Sequence, residues 1–101
     1  MSSEGLHAPR ERLRDETLAL HQAIASLVEE LEAADWYGQR ADDCDDPALK
    51  AILLHNRREE IEHASMVIEW MRRHDRDFDK QLRAFLFTEK DINAEEKENE
   101  D

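Results

Sequence analysis

Apolar and polar positions along the chain fall into two long helical patterns, an acidic break between them, and a shorter pattern after. From near Pro9 to about Arg40, Leu13, Thr17, Leu20, Ile24, Leu27, Leu31 and Ala34 recur in alternating steps of three and four residues. That is the heptad spacing of a helix laid along another helix, and at 1.5 Å per residue it is roughly 45 Å long. Gly38 and the run Asp42-Asp43-Cys44-Asp45-Asp46 are expected to break it. Asp46 followed by Pro47 pairs an N-capping carboxylate with a residue whose fixed φ suits the first helical position. A second helix is expected from there to about Arg73. Its apolar residues Leu49, Ile52, Leu53, Val67, Trp70 and Met71 share one stripe at about 100° per residue. Phe78, Leu82, Phe85 and Leu86 predict a short third helix, about Asp77 to Phe87.

The pattern stops at both ends. Residues 1–8 lack periodicity and are expected to be mobile, and beyond Glu89 only Ile92 is apolar in the helical sense. The segment 93–101, ending Glu95-Glu96-Lys97-Glu98-Asn99-Glu100-Asp101, is expected to be a disordered acidic tail. Residues 9–92 are then one all-α domain, an antiparallel two-helix hairpin plus a short C-terminal helix. Two helices cannot bury both of their stripes alone, so the hairpin is expected to self-associate.

Charge narrows the partners. With 26 acidic and 14 basic residues the net charge is −12, which argues against nucleic acid and anionic membranes and favours cations. No apolar run approaches membrane-spanning length, and no signal-peptide pattern precedes Leu6. The lone Cys44 has no internal disulfide partner and fits a reducing compartment. The acidic run around it reads as a solvated turn, because it lacks the Gly and Glu of a calcium loop.

The chemistry lies on the helix faces. Glu60 and His63 fall in the middle of the second helix's apolar stripe, and Glu62 falls well off it. A carboxylate and an imidazole on a buried seam need compensation, either by a metal or by an ion pair with an arginine such as Arg57. The Glu-x-x-His spacing is weak evidence alone, since about 0.7 matches are expected by chance in this composition and Glu4 with His7 is another. On the first helix Glu30 and Tyr37, seven apart, share a face at the border of the seam among Ala23, Leu27 and Ala34. Glu29, Glu32 and Trp36 share a different face, either solvated or, given the tryptophan, a contact surface. Carboxylate-bridged di-metal sites in helical bundles take one Glu from each of two helices and a Glu-x-x-His from each of the other two. This chain offers half of that set, so two chains would complete it. Four carboxylates and two neutral imidazoles carry a charge that matches two Fe²⁺ ions. Oxygen and nitrogen ligands without thiolate suit iron or manganese, with zinc and calcium as further occupants.

Three stretches then carry a resemblance: Val28-Glu29-Glu30-Leu31-Glu32-Ala33-Ala34-Asp35-Trp36-Tyr37, His55-Asn56-Arg57-Arg58-Glu59-Glu60-Ile61-Glu62-His63-Ala64 through Glu69-Trp70, and Leu86-Phe87-Thr88-Glu89. With them the chain, from about Leu6 to Ile92, resembles the encapsulated ferritins, ferritin-like proteins carried inside encapsulin shells. The resemblance implies dimers that build a ferritin-like four-helix bundle, and a ring of five such dimers, a homodecamer. It implies a ferroxidase that oxidises Fe²⁺ with O₂ at a di-iron centre between two subunits, in a cytoplasmic encapsulin nanocompartment whose shell stores the mineral. Glu30, Glu60 and His63 would be the iron ligands, with Tyr37 alongside, and Glu29, Glu32 and Trp36 an outer metal-collecting site. Family members continue through a flexible linker to a short apolar peptide that docks inside the shell, and the acidic run to Asp101 is not such a peptide. The residues alone also allow a non-catalytic helical interaction module with a structural Glu60–His63 network, or a metal buffer without redox turnover.

Overall fold

The computed structural model describes residues 5–99. Its first long helix, α1, spans Asp15–Asp42 and so starts later than the seam predicts. Arg10–Arg12 form a separate 3-10 turn, closed by Arg12 N–H to Pro9 O and Leu13 N–H to Arg10 O, both 3.0 Å. Electrostatics accounts for the shift. A helix begun at Pro9 would put Arg10, Arg12 and Arg14 at its positive end, whereas a start at Asp15 puts Asp15 and Glu16 there. Leu13 stands in extended backbone ahead of the helix and is half-buried.

Gly38, expected as a break, lies inside α1. Its missing side chain serves packing: a Cβ there would stand 3.3 Å from Arg57 Nε on the next helix. The helix ends instead at the acidic turn, where the Asp43 and Cys44 N–H groups donate to Gln39 O and Ala41 O, each at 3.2 Å. The Cys44 thiol donates to Asp46 O across the turn, at 3.5 Å.

Helix α2 spans Pro47–His74. Its predicted cap is present, Asp46 Oδ1 accepting from the N–H groups of Ala48 and Leu49 at 2.9 and 3.4 Å. It runs antiparallel to α1, with Gly38 facing Arg57 and Glu30 facing His63. Among the described residues the buried apolar side chains are Ala34 and Ala41 of α1 and Ala64 and Met71 of α2, mostly small, as close helix approach requires. Leu20, Leu27, Leu53 and Val67 are half-buried, while Ile24, Leu31, Leu49, Ile52 and Trp70 of the two predicted stripes stay exposed. The radius of gyration is 17.4 Å, against about 13 Å for a compact chain of this length. The hairpin covers its seam and leaves its flanks bare.

One residue separates α2 from α3, which spans Arg76–Phe85. Asp75 ends the first with its N–H on Met71 O (2.9 Å) and caps the second with Oδ1 on Phe78 N–H (2.9 Å). Arg72 ties the corner. Its Nε and Nη2 donate to the two oxygens of Glu69 at 2.8 and 2.7 Å, and its Nη1 donates to Asp79 Oδ1 at 2.6 Å. Arg73 adds a contact to Glu69 at 2.7 Å and Arg83 one to Asp79 at 2.8 Å. Hydrogen bonds from Arg72 and then Arg73 hold the Glu69 carboxyl down at about 2. The bonds from Arg72 and Arg83 lower Asp79 as well.

The third helix stops short of Phe87. Leu86 N–H closes it on Leu82 O at 2.9 Å, Phe87 turns to φ 63°, and the Thr88 hydroxyl donates back to Phe85 O at 3.4 Å. Beyond it, where a disordered tail is expected, Ile92–Asn99 form a short helix, α4. Asp91 starts it, accepting from Asn93 N–H at its side chain and from Ala94 N–H at its carbonyl. Ala, Glu and Lys form helices without any apolar stripe, which is why periodicity does not reveal α4. At the other end Gly5 lies so close to α1 that a Cβ would stand 2.8 Å from His21 Cε1. The remaining parts of the segments expected to be mobile or disordered, residues 1–4 and 100–101, lie outside the described residues.

The corner gives a test. The depressed Glu69 and Asp79 carboxyls contribute stability that is present above their ordinary range, and it is lost as pH falls toward about 2. Arg72→Ala is expected to speed hydrogen exchange of the α3 amides at neutral pH while α1 and α2 stay protected. Acidifying the unaltered chain from pH 5 to 2.5, after correction for intrinsic exchange, is expected to do the same.

Candidate metal centre

Glu30 comes from the middle of α1, and Glu60 and His63 come from the facing turn of α2. The i,i+3 spacing sets Glu60 and His63 on one side of their helix, and the antiparallel register brings Glu30 across to them. His63 Nδ1 lies 3.1 Å from Glu60 Oε1 and 3.5 Å from Glu30 Oε2. One ligand atom from each of the three lies within 4.8 Å of the others, and among the described residues this is the set of His, Cys, Asp and Glu so grouped. An ion bound at about 2.1 Å to such donors needs only small side-chain rotations from this spacing.

Electrostatics favours a cation here. Burial raises the Glu30 carboxyl above its usual range, and the hydrogen bond and charge of Glu60 push the same way, with His63 opposing. His63 is raised too, chiefly by its hydrogen bond with Glu60. A proton on His63 Nδ1 would be held between two carboxylates, in a place a divalent ion can take. Two oxygens and one imidazole nitrogen, without thiolate, are hard-to-intermediate donors that suit iron or manganese. Arg57, the arginine considered for neutralising Glu60, runs over Gly38 instead and makes no ion pair with Glu60 among the described residues.

The centre is open on one side. The side chains of Glu30 and Glu60 are 23% and 24% exposed, and that of His63 is 49% exposed. His63, expected in the middle of a buried stripe, is thus only half covered by its own chain. Three donors from one chain are also too few to enclose an ion. The exposed Ile52, Met66 and Trp70 of α2 fall near the His63 side of that helix by its periodicity.

The other predicted residues lie apart from the cluster. Tyr37 is two turns along α1 from Glu30, about 10 Å of helix rise, half-buried, with the Arg40 guanidinium 5.5 Å from its ring centre. Glu29, Glu32 and Trp36 are all exposed on the face turned away from α2. A cavity of about 300 Å³ opens beside Trp36, Gln39 and Arg40. Sequence reasoning missed Arg40, whose i,i+3 spacing from Tyr37 was the available signal. It also missed the use of Gly38 as a seat for Arg57, which shows only when both helices are in place.

Comparison with known proteins converges on one group. The EncFtn-like family matches residues 5–89. The chain is 55% identical over 93 residues to an encapsulated ferritin-like protein of Rhodospirillum rubrum, covering 92% of this chain and 66% of that one. It therefore spans just under two thirds of that relative's length. A ferritin-like protein of Thermotoga maritima is 44% identical over 92 residues, covering 91% of this chain and 81% of the relative. The crystal structure of a Nitrosomonas europaea protein, 57% identical, superposes with a TM-score of 0.82 over 87% of this chain and 97% of that one.

The raised His63 makes proton release the signature of metal uptake. Calorimetric titration of metal-free protein with Mn²⁺, in buffers of different ionisation enthalpy, is expected to show protons released on binding. Affinity should fall about tenfold per pH unit once His63 is protonated, a regime reaching above the ordinary histidine range. His63→Ala should abolish the proton release.

Proposed function

The chain belongs to the EncFtn-like family, the encapsulated ferritins, and from that membership we propose that it is a ferroxidase, oxidising Fe²⁺ with O₂ at a site shared by two copies. The observation that carries this reading is the half-built, half-open ligand set of Glu30, Glu60 and His63. Two such sets brought together by a twofold axis give four carboxylates and two imidazoles, enough for two Fe²⁺ ions as substrate.

Each residue then has a task. Glu60 stands at the α2 edge of the set and would bridge the two irons, while Glu30 and His63 complete the ligands on either side. His63 must be neutral to ligate, so a proton on it would leave as iron enters. Two irons oxidised together deliver two electrons to O₂ at once. Tyr37, with Arg40 over its ring, lies about 10 Å along α1 from Glu30 and would tune the site by hydrogen bonding only across the assembled interface. Glu29, Glu32 and Trp36 would collect Fe²⁺ on the outer face, where the chain's net charge of −12 raises its local concentration.

The bare flanks support the assembly part of the reading. Ile24, Val28 and Leu31 are exposed and lie roughly 100–160° round α1 from Glu30, so a dimer closed over the metal centre would still leave apolar surface on the opposite flank. A larger ring, the homodecamer of five dimers, would cover both. An open ring encloses no mineral, so the product iron would pass to a surrounding encapsulin shell, in keeping with the encapsulated relative. Among the described residues no helix is long and apolar enough to cross a membrane.

Because each chain holds half a ligand set, metal binding and self-association are expected to be linked. Light scattering after size exclusion should show Fe²⁺, added anaerobically, shifting the population toward the assembled form. A monomer that binds iron tightly would contradict the shared site.

Glu30→Ala, Glu60→Ala and His63→Ala are each expected to remove most of the ferric absorbance that develops when air is admitted, with helical content retained. Glu32→Ala should change the initial rate and leave the final extent, and the change should persist at 0.15 M salt, where fields beyond about 8 Å are screened. Activity within about twofold of the parent in all three ligand variants would rule out the centre.

A further inference from the structure

Phe87 is at once strained and bare. Its backbone sits at φ 63°, a conformation that bulky L residues rarely adopt, and the residue is fully exposed, at 101%. Its neighbour Leu86 is 46% exposed. Two residues on, Glu89 is exposed and makes no ion pair among the described residues. The end of α3 thus presents an aromatic knob followed by a free carboxylate.

A matching recess lies at the open end of the hairpin. A cavity of about 390 Å³ is lined by Thr17 and Leu20 of α1, Trp70 and His74 of α2, and the guanidinium-bearing Arg14 and Arg76. Trp70 is held as a fixed wall. Its ring stacks on that of His74 with centroids 4.1 Å apart and planes 16° apart, while His74 Nδ1 lies 2.8 Å from Trp70 O. Glu16 and Asp75 also border the cavity, but the Asp75 carboxylate is engaged in capping α3. Arg14 and Arg76 make no ion pair among the described residues, although acidic residues outnumber basic ones 26 to 14.

We propose that the Phe87 ring of one copy docks into the Leu20–Trp70 cavity of a second copy, with Glu89 meeting Arg14 and Arg76 at its rim. The occupant follows from complementarity: an aromatic followed by a carboxylate faces an aromatic-walled recess edged by two unpaired guanidiniums. The same chain cannot make the contact. Phe87 borders a separate recess with Glu69 and Arg72, roughly 100–160° round α2 from Trp70. Around a twofold axis each copy gives one knob and receives one, so the exchange is self-complementary. Two aromatic rings bury about 150–250 Å² each, less than a stable interface of about 1,000 Å² requires. The exchange therefore locks an interface that the exposed apolar flanks make broad. The left-handed backbone at Phe87 holds the ring clear of α3 for this purpose.

The test uses metal-free full-length protein, so its outcome does not depend on the iron chemistry. Trp36→Phe leaves Trp70 as the only tryptophan, and its emission reports whether the recess is filled. Added to that background, Phe87→Gly, which suits the φ, is expected to shift Trp70 emission to longer wavelength. It should also weaken self-association by about tenfold or more, with unchanged helical circular dichroism. Arg76→Glu and Glu89→Arg should each weaken association, and the double reversal should restore it. Unchanged association and emission in Phe87→Gly overturn the proposal, and so does an emission shift in a species that is monomeric throughout. A double reversal no tighter than the single changes also overturns it.

Discussion

Two helices have one seam between them and two long flanks, and geometry allows only the seam to be covered from within. Everything else in this molecule follows from that shortage of cover. Ala34, Ala41, Ala64 and Met71 fill the seam, and their small average size lets α1 and α2 approach closely along their length. The same closeness brings Glu30 within reach of His63 and seats Arg57 over Gly38. Leu31, Ile52 and Trp70, which the sequence pattern marks as core, stay exposed. They are the residues that the proposed assembly would cover.

The ligand cluster obeys the same constraint. A complete metal centre within one hairpin would place several carboxylates in a seam too narrow to hold them and too dry to solvate them. Three ligand-type groups at the edge of the seam avoid this. Glu30 and Glu60 keep about a quarter of their surface in water, and partial burial together with the nearness of Glu60 raises Glu30. A proton on His63, whose affinity for it is raised, would relieve the crowding, and so would a bound cation. On the proposed reading, the half-exposure of His63 is what a site completed by a second copy would require.

Much of this was legible from residue spacing, and the exceptions have physical reasons. Asp46-Pro47 fixed the start of α2 because capping is a local hydrogen-bond pattern. Glu60 and His63 could be placed together because i,i+3 spacing is geometry within one helix. That Glu30 joins them, while Glu29 does not, follows from which side of α1 meets the seam. The later start of α1 was hidden because heptad counting ignores where the arginines fall along the helix dipole. Gly38 was misread as a break because its role depends on Arg57, 19 positions away in the chain. The Arg72–Glu69–Asp79 corner escaped notice for a similar reason, since Asp79 joins only after the chain turns at Asp75. For α4 no apolar period existed to be read.

The two joints of the chain differ in kind. Residues 43–46 between α1 and α2 form a solvent-facing turn whose length can vary with little effect on what the helices present. Between α2 and α3 stands a single residue, Asp75, serving both helix ends at once. One residue added or removed there would rotate α3 by about 100° about its own axis and carry Arg83, Leu86 and Phe87 to a different side. Across related chains, insertions should therefore collect in the first joint and be excluded from the second. The shorter joint acts as a gauge, setting the angular phase of everything that follows it.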